Sequence, residues 1–360
     1  MIRLIYLNDT IMKFTRRQID ILNTIRQSKA FSSSTILAVL PEKPSLVTLK
    51  RDLLALTKTG HLIQSGRGRS VTYSLSVTGK LFLPIDAKAY CVIEPDQRYG
   101  DSTYDFELFE NVPITLFSEE ELSLLNAKTQ HYQNRSAEAS PTIHQKELKR
   151  FIIELSWKSS RIEGNTYTLL DTERLLLEGI PAVGHTSDET TMILNHKKSF
   201  DFIIEHSSLF KSLINQTTIE EVHRLLIMNL GVATGIRRSA VGVTGSKYHP
   251  IDNEYQIREA FGTLYASIDR ASDVYSKSLL LLVGLSYIQG FEDGNKRTAR
   301  LSTNAVLLAD NAAPLSYRSV DEISYREAMM VFYETQSIVA IKEIFVAQYV
   351  FAAEQYLLAR

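Results

Sequence analysis

The sequence predicts a mainly α-helical protein with a small α+β head, and three observations carry that prediction. Apolar residues recur at helical spacing through most of the chain beyond Ser118. Alternating stretches are few, and the clearest pair flanks a Gly-rich turn at Gly66-Arg67-Gly68-Arg69. Charge is also split: between Thr15 and Ser76, ten Lys and Arg face three Asp and Glu, a net of +7. The remainder carries −8, and the whole chain −1. A basic head on an acidic body points to a polyanionic partner for the head.

With 360 residues, of which 44% are apolar and 22% charged, the chain has room for two or three domains with cores of their own. The single cysteine, Cys91, excludes an internal disulfide and reads as a small buried hydrophobe. The longest apolar run, Leu279 to Leu285, falls far short of the roughly 20 residues that cross a bilayer. The opening stretch MIRLIYLNDTIM lacks the features of a signal peptide, so a cytoplasmic location is expected.

In the head, Thr15 and Gln18 have capping-box spacing, with Phe14 and Ile19 placed as a hydrophobic staple, and a helix is expected to about Lys29. Ser32 to Ser34 cap a short second helix that ends before Pro41. A third helix begins after Ser45, carries Leu46, Leu49, Leu53 and Leu56, and stops at Gly60. Strands at 61–65 and 70–75 then form a hairpin with arginines at its tip. This segment, SLVTLKRDLLALTKTGHLIQSGRGRSVTYSL, resembles the winged helix-turn-helix domains of bacterial transcription regulators. The resemblance implies DNA as partner, with Thr48, Lys50 and Arg51 on the third helix and Arg67 and Arg69 on the wing as its contacts.

The head is expected to span 1–76 and a linker 77–116, with a short strand near Ala89 to Ile93. An all-helical body at 117–360 follows, including a helix over 144–164. Its most informative stretch is YIQGFEDGNKRTARL, Tyr287 to Leu301. A tight loop, Gly290 to Gly294, feeds a helix that starts at about Asn295. Unpaired backbone N–H groups and the positive end of the helix dipole converge there, which makes an anion site. Lys296, Arg297 and Arg300 add positive charge that opposes the dipole, a placement that makes sense once a polyphosphate neutralises it. Asp293 is positioned to hold a magnesium ion against phosphate oxygens.

Phe291, Asp293, Gly294, Asn295, Lys296, Arg297 and Arg300 fall in register on His-Pro-Phe-x-Asp/Glu-Gly-Asn-Gly/Lys-Arg-x-x-Arg, and the stretch resembles the signature of the Fic (Fido) family. The resemblance implies a helical domain that binds ATP with Mg2+ and transfers AMP to a hydroxyl of a target protein. Gly294, Asn295, Lys296, Arg297 and Arg300 would hold the nucleotide, and Asp293, Asn295 and Arg297 would serve the chemistry. Gly235-Ile236-Arg237-Arg238 through Ser246 is similar to the family's flap, a β-hairpin that holds the target in extended form through Val243, Thr244 and Gly245. Ser159, Glu163 and Gly164 match the inhibitory pattern Ser/Thr-x-x-x-Glu-Gly/Asn, whose glutamate pairs with the second arginine, here Arg300. Read from the residues alone, Ser159 and Glu163 project from one side of an apolar-leaning helix face, and a carboxylate there needs a cationic partner.

The departure is Gln289, which stands at the place of the catalytic histidine. An amide has no basic lone pair at physiological pH, so the expectation is nucleotide binding with AMP transfer weak or lost. The alternative is an active enzyme that uses a substitute base such as His249, or, since Lys296 is similar to Doc toxins, one that transfers phosphate. Both kinds of domain often pair, which makes a homodimer an expected assembly.

Overall fold

The computed structural model describes residues 14–26, 30–211 and 214–358. The opening stretch 1–12 and Lys29, the expected end of the first helix, lie outside the described residues. The chain divides into two compact units, one formed by the chain up to Pro113 with Thr244–Tyr248 and Glu327–Ile341, the other by Ile114–Val243, His249–Arg326 and the chain from Lys342.

In the first unit, α1 (Arg16–Arg26), α2 (Ser33–Val39) and α3 (Leu46–Lys58) pack with a three-stranded antiparallel sheet. Its strands β1 (Phe31–Ser32), β2 (Leu62–Ser65) and β3 (Thr72–Leu75) lie in the order β1-β3-β2. Local chemistry sets the limits of α3. The Ser45 hydroxyl accepts from the Thr48 N–H at 3.1 Å, and Gly60 leaves the helix at φ +77°. Ile21, Leu22, Ile25, Ile36, Leu49, Leu53 and Leu56 form the core. The β2–β3 register pairs Leu62 with Leu75 and Ser65 with Thr72. At the hairpin tip, Gly66 has φ +84°, and a Cβ there would lie 2.3 Å from the Ser70 carbonyl oxygen, so only glycine fits.

Two short helices follow, α4 (Val77–Leu81) and α5 (Ala87–Cys91). The strand expected near Ala89 is therefore a helix, because the Asp86 carboxylate accepts the Ala89 N–H and caps it. Burial pushes the partly buried Cys91 thiol up to about 11, which disfavours the thiolate.

The second unit is built from α6 (Glu119–Ala137), α7 (Pro141–Ile162), α8 (Leu169–Glu178), α9 (Ser187–Glu205), α10 (Gln216–Leu226), α11 (Glu254–Arg270), α12 (Val274–Ile288) and α13 (Asn295–Ala309). Two further helices, α14 (Glu322–Thr335) and α15 (Val339–Gln355), contribute residues to both units. α12 is buried on all faces and packs against α11 and α13, which explains why its sequence is apolar without a polar stripe. Among the described residues no helix is long and apolar enough to cross a membrane.

The expected β-hairpin flap is not formed: no strand occurs among residues 235–247. Gly242 and Gly245 break the alternation of Val241-Gly242-Val243-Thr244-Gly245, and nearby backbone groups bond elsewhere. The Arg237 N–H, for example, donates to the Gly290 carbonyl at 3.0 Å.

Candidate functional site

The site is organised by the join between α12 and α13. α12 ends because Gln289 adopts the left-handed conformation, φ +50° and ψ +49°, which is uncommon for a residue with a side chain. Gln289 is buried, and its amide donates to the Ser286 carbonyl at 2.7 Å, folding back on the helix end. Its own carbonyl accepts from Arg237 Nε at 2.6 Å. The same guanidinium donates to the carbonyls of Ser239 and Ile251, so one buried arginine ties the loop to the segment after Gly235. At Gly290 a Cβ would meet the Phe261 ring at 2.3 Å, so the residue must be small.

Beyond Gly290 the loop is closed by Asn295. Its Oδ1 accepts the Phe291 N–H at 2.9 Å, and its Nδ2 donates to the Phe291 carbonyl at 2.8 Å. Phe291 stacks on His223, with centroids 3.8 Å apart and planes at 11°. Burial pulls His223 down to about 4, so the neutral ring donates from Nε2 to the Asp293 carbonyl at 2.9 Å. Gly294 enters α13 at φ +79° and offers no side-chain cap. The backbone N–H groups of Asn295, Lys296 and Arg297 consequently have no partner among the described residues.

Arg297 is 2% exposed. Its Nη2 donates to Asp293 Oδ2 at 2.8 Å, while its Nη1 is buried and unpartnered among the described residues. Arg300 is wholly buried. Its Nε donates to Ser159 Oγ and its Nη2 to the Ser159 carbonyl, both at 2.9 Å, and Nη2 also reaches Glu163 Oε1 at 2.8 Å. Lys296 Nζ lies 3.2 Å from Glu163 Oε2, so one carboxylate spans two cations of α13. Burial works to raise Glu163, but the charges of Arg300 and Lys296 outweigh it and hold the carboxyl at about 2. Burial would likewise lower Arg300, and Glu163 raises it instead. The Arg300 guanidinium also meets the buried Tyr325, whose ring centroid lies 5.6 Å from it. Glu163 caps the C-terminal end of α7, where Arg326 donates to the Ile162 carbonyl and Gly164 turns the chain away at φ +99°.

The structure thus gathers Ser159, Glu163, Asp293, Gly294, Asn295, Lys296, Arg297 and Arg300 around the start of α13. In the stretch 243–245, Val243 is buried while Thr244 and Gly245 are exposed, and His249 is exposed too. In the head, Lys50, Arg51, Arg67 and Arg69 are exposed, whereas the Thr48 hydroxyl is held by Ser45 Oγ at 2.9 Å. Sequence reasoning passed over the roles of Arg237 and His223. His223 carried a signal in its spacing, since it lies on α10 one position after the buried Val222 and shortly before the apolar pair Leu225 and Leu226. Among the described residues no group of three or more His, Cys, Asp or Glu is arranged to hold a metal. A magnesium ion at Asp293 would therefore take its remaining ligands from phosphate and water, as Mg2+ commonly does.

The chain is 25% identical over 160 residues to "Protein adenylyltransferase fic-1" of Caenorhabditis briggsae, covering 43% of this chain and 31% of that protein. It is 26% identical over 183 residues to "Protein adenylyltransferase Fic" of Nematostella vectensis, covering 50% and 43%. The chain spans less than half the length of these relatives. In fold it is similar to a Fic domain-containing signalling protein from Bacteroides thetaiotaomicron, at a TM-score of 0.55 and 19% identity over 65% of this chain and 94% of that one. Fic-1 (residues 134–508) from C. elegans gives the same score and identity over 66% and 72%. Residues 213–307, which include α10 to α12 and nearly all of α13, match the profile of the Fic/DOC family, and the chain carries a Fic/DOC domain.

Proposed function

We propose that this protein is a Fic-like ATP-binding regulator in which transfer of AMP is held down twice, by Glu163 and by Gln289. The observation that carries the reading is the buried, unpartnered guanidinium nitrogen Arg297 Nη1 beside the N–H groups of α13 that have no partner among the described residues. Buried cationic donors left open are costly, and a triphosphate supplies the acceptors they lack. Under this reading the N–H groups of Asn295 to Arg297 hold phosphate oxygens, Asp293 holds Mg2+, and Glu163 competes with phosphate for Arg300. Gln289 donates its amide to Ser286 and has no lone pair with which to take a proton from a target hydroxyl. Val243, Thr244 and Gly245 hold the target segment. The names of the curated relatives support AMP as the transferred group.

The head is proposed as a winged helix-turn-helix that binds DNA. Support comes from three helices, an antiparallel β1-β3-β2 sheet and exposed Lys50, Arg51, Arg67 and Arg69.

The test is labelled ATP with cell lysate on the wild type, Glu163→Gly, Gln289→His and the double variant. Labelling is expected only where Gln289→His is present, and most strongly in the double variant. Strong labelling by Glu163→Gly alone would overturn the role given to Gln289.

A further inference from the structure

Near the end of α14 lies a buried carboxylate that none of this chemistry uses. Glu334 is 0% exposed. Its Oε1 accepts from Arg98 Nη1 at 3.1 Å, from Ser246 Oγ at 2.7 Å and from the Lys247 N–H at 3.4 Å, while Oε2 accepts from the Tyr90 hydroxyl at 2.7 Å. Its backbone carbonyl accepts the Asp101 N–H at 2.7 Å, and a Cβ on Gly100 would lie 2.2 Å from that oxygen. Arg98, also buried, donates from Nη1 to the Gly245 carbonyl at 2.9 Å, from Nη2 to Cys91 at 3.1 Å and from Nε to Ile93 at 2.8 Å. Lys247 Nζ returns to the carbonyls of Arg98 and Gly100 at 2.6 and 2.8 Å.

Every one of these groups belongs to the first unit, and Glu334 and Arg98 fasten the turn Thr244–Tyr248 within it. The chain just before the turn supplies little of its own: the backbone groups of Ala240 to Val243 make no hydrogen bond among the described residues. A buried, fully bonded ionic network fixes one arrangement, and removing one partner leaves the other charge stranded. We propose that Glu334 and Arg98 are positioning residues for this turn and set where Thr244 and Gly245 present themselves to a target. This rests on the proposed reading of those two residues as part of the target-holding segment.

Hydrogen exchange on the full chain tests it, comparing the wild type with Glu334→Gln, Arg98→Met and the double variant. Amides of 244–248 are expected to exchange about tenfold or more faster in either single variant. The double variant should be no faster, because the two side chains act as one unit. Exchange within α13 is expected to stay unchanged, and Arg98→Lys, which keeps the charge without the planar fork, should fall between wild type and Arg98→Met. Should Arg98→Met unfold the chain, Ser246→Ala removes one neutral donor and carries the same expectation. Unaltered exchange at 244–248 would overturn the proposal. The same changes are then placed in the Glu163→Gly, Gln289→His background and lysate is labelled with ATP. Faster exchange with lost labelling supports both readings. Faster exchange with labelling intact keeps the positioning role and removes the target-holding one.

Discussion

Glu163 is where two cations of α13 meet, and its charge state is the most sensitive point of the site. Its carboxyl is held at about 2, below the ordinary value of 4.5. A depressed carboxyl contributes stability that is fully present above its ordinary value and is lost as pH falls through the folded one. The contribution here is on the order of 3 kcal/mol. Urea unfolding of wild type and Glu163→Gln should therefore differ most at pH 5 and converge towards pH 2. A difference that stays constant across that window would show that the pairing does not govern stability. Gln289 acts differently, because its backbone is fixed by Arg237 and its side chain only folds back on Ser286. Gln289→His should therefore fold normally. If the proposed function holds, it should raise AMP transfer in a Glu163→Gly background by about 10²- to 10⁴-fold, the usual worth of a general base.

Among the elements, the α11–α12 packing leaves no room at Gly290, where an added Cβ would meet the Phe261 ring and come within 3.3 Å of Ile257. Gly290→Ala is expected to cost about 1–3 kcal/mol through overpacking, read as a lowered melting temperature. An unchanged melt would mean that the ring yields freely. The elements most legible in the sequence were those bounded by local chemistry. Ser45 and Gly60 announced both ends of α3, and the spacing of Ser159 and Glu163 placed both on one side of α7. What stayed illegible depends on partners distant along the chain. Arg237 is one of two adjacent bases in the sequence, and nothing local shows that its acceptors lie at residues 239, 251 and 289. The flap hairpin implied by the family resemblance is not formed, because a ladder needs a partner strand for the backbone and this segment has none among the described residues. The strand expected at Ala89 failed for a local reason, the Asp86 cap, that its apolar residues masked.

For the whole molecule, the division of charge read from the sequence bears on what the head binds. Neutralising Arg67 and Arg69 together should weaken duplex DNA binding across sequences and flatten the slope of log affinity against log salt by about 2. Fluorescence anisotropy of the full chain at several salt concentrations measures this, and an unchanged slope would remove both residues from the interface. The first unit is also assembled from three separate pieces of chain, the last more than 200 residues after the first. Such a unit cannot be exchanged as a cassette. A recombination that replaced only the part before Pro113 would bring Glu334, Ser246 and Lys247 against a foreign loop and strand a buried charge. One buried ion pair thus joins residues 236 positions apart in the chain within a single unit, so the pieces of that unit complete one another only when the whole chain is present.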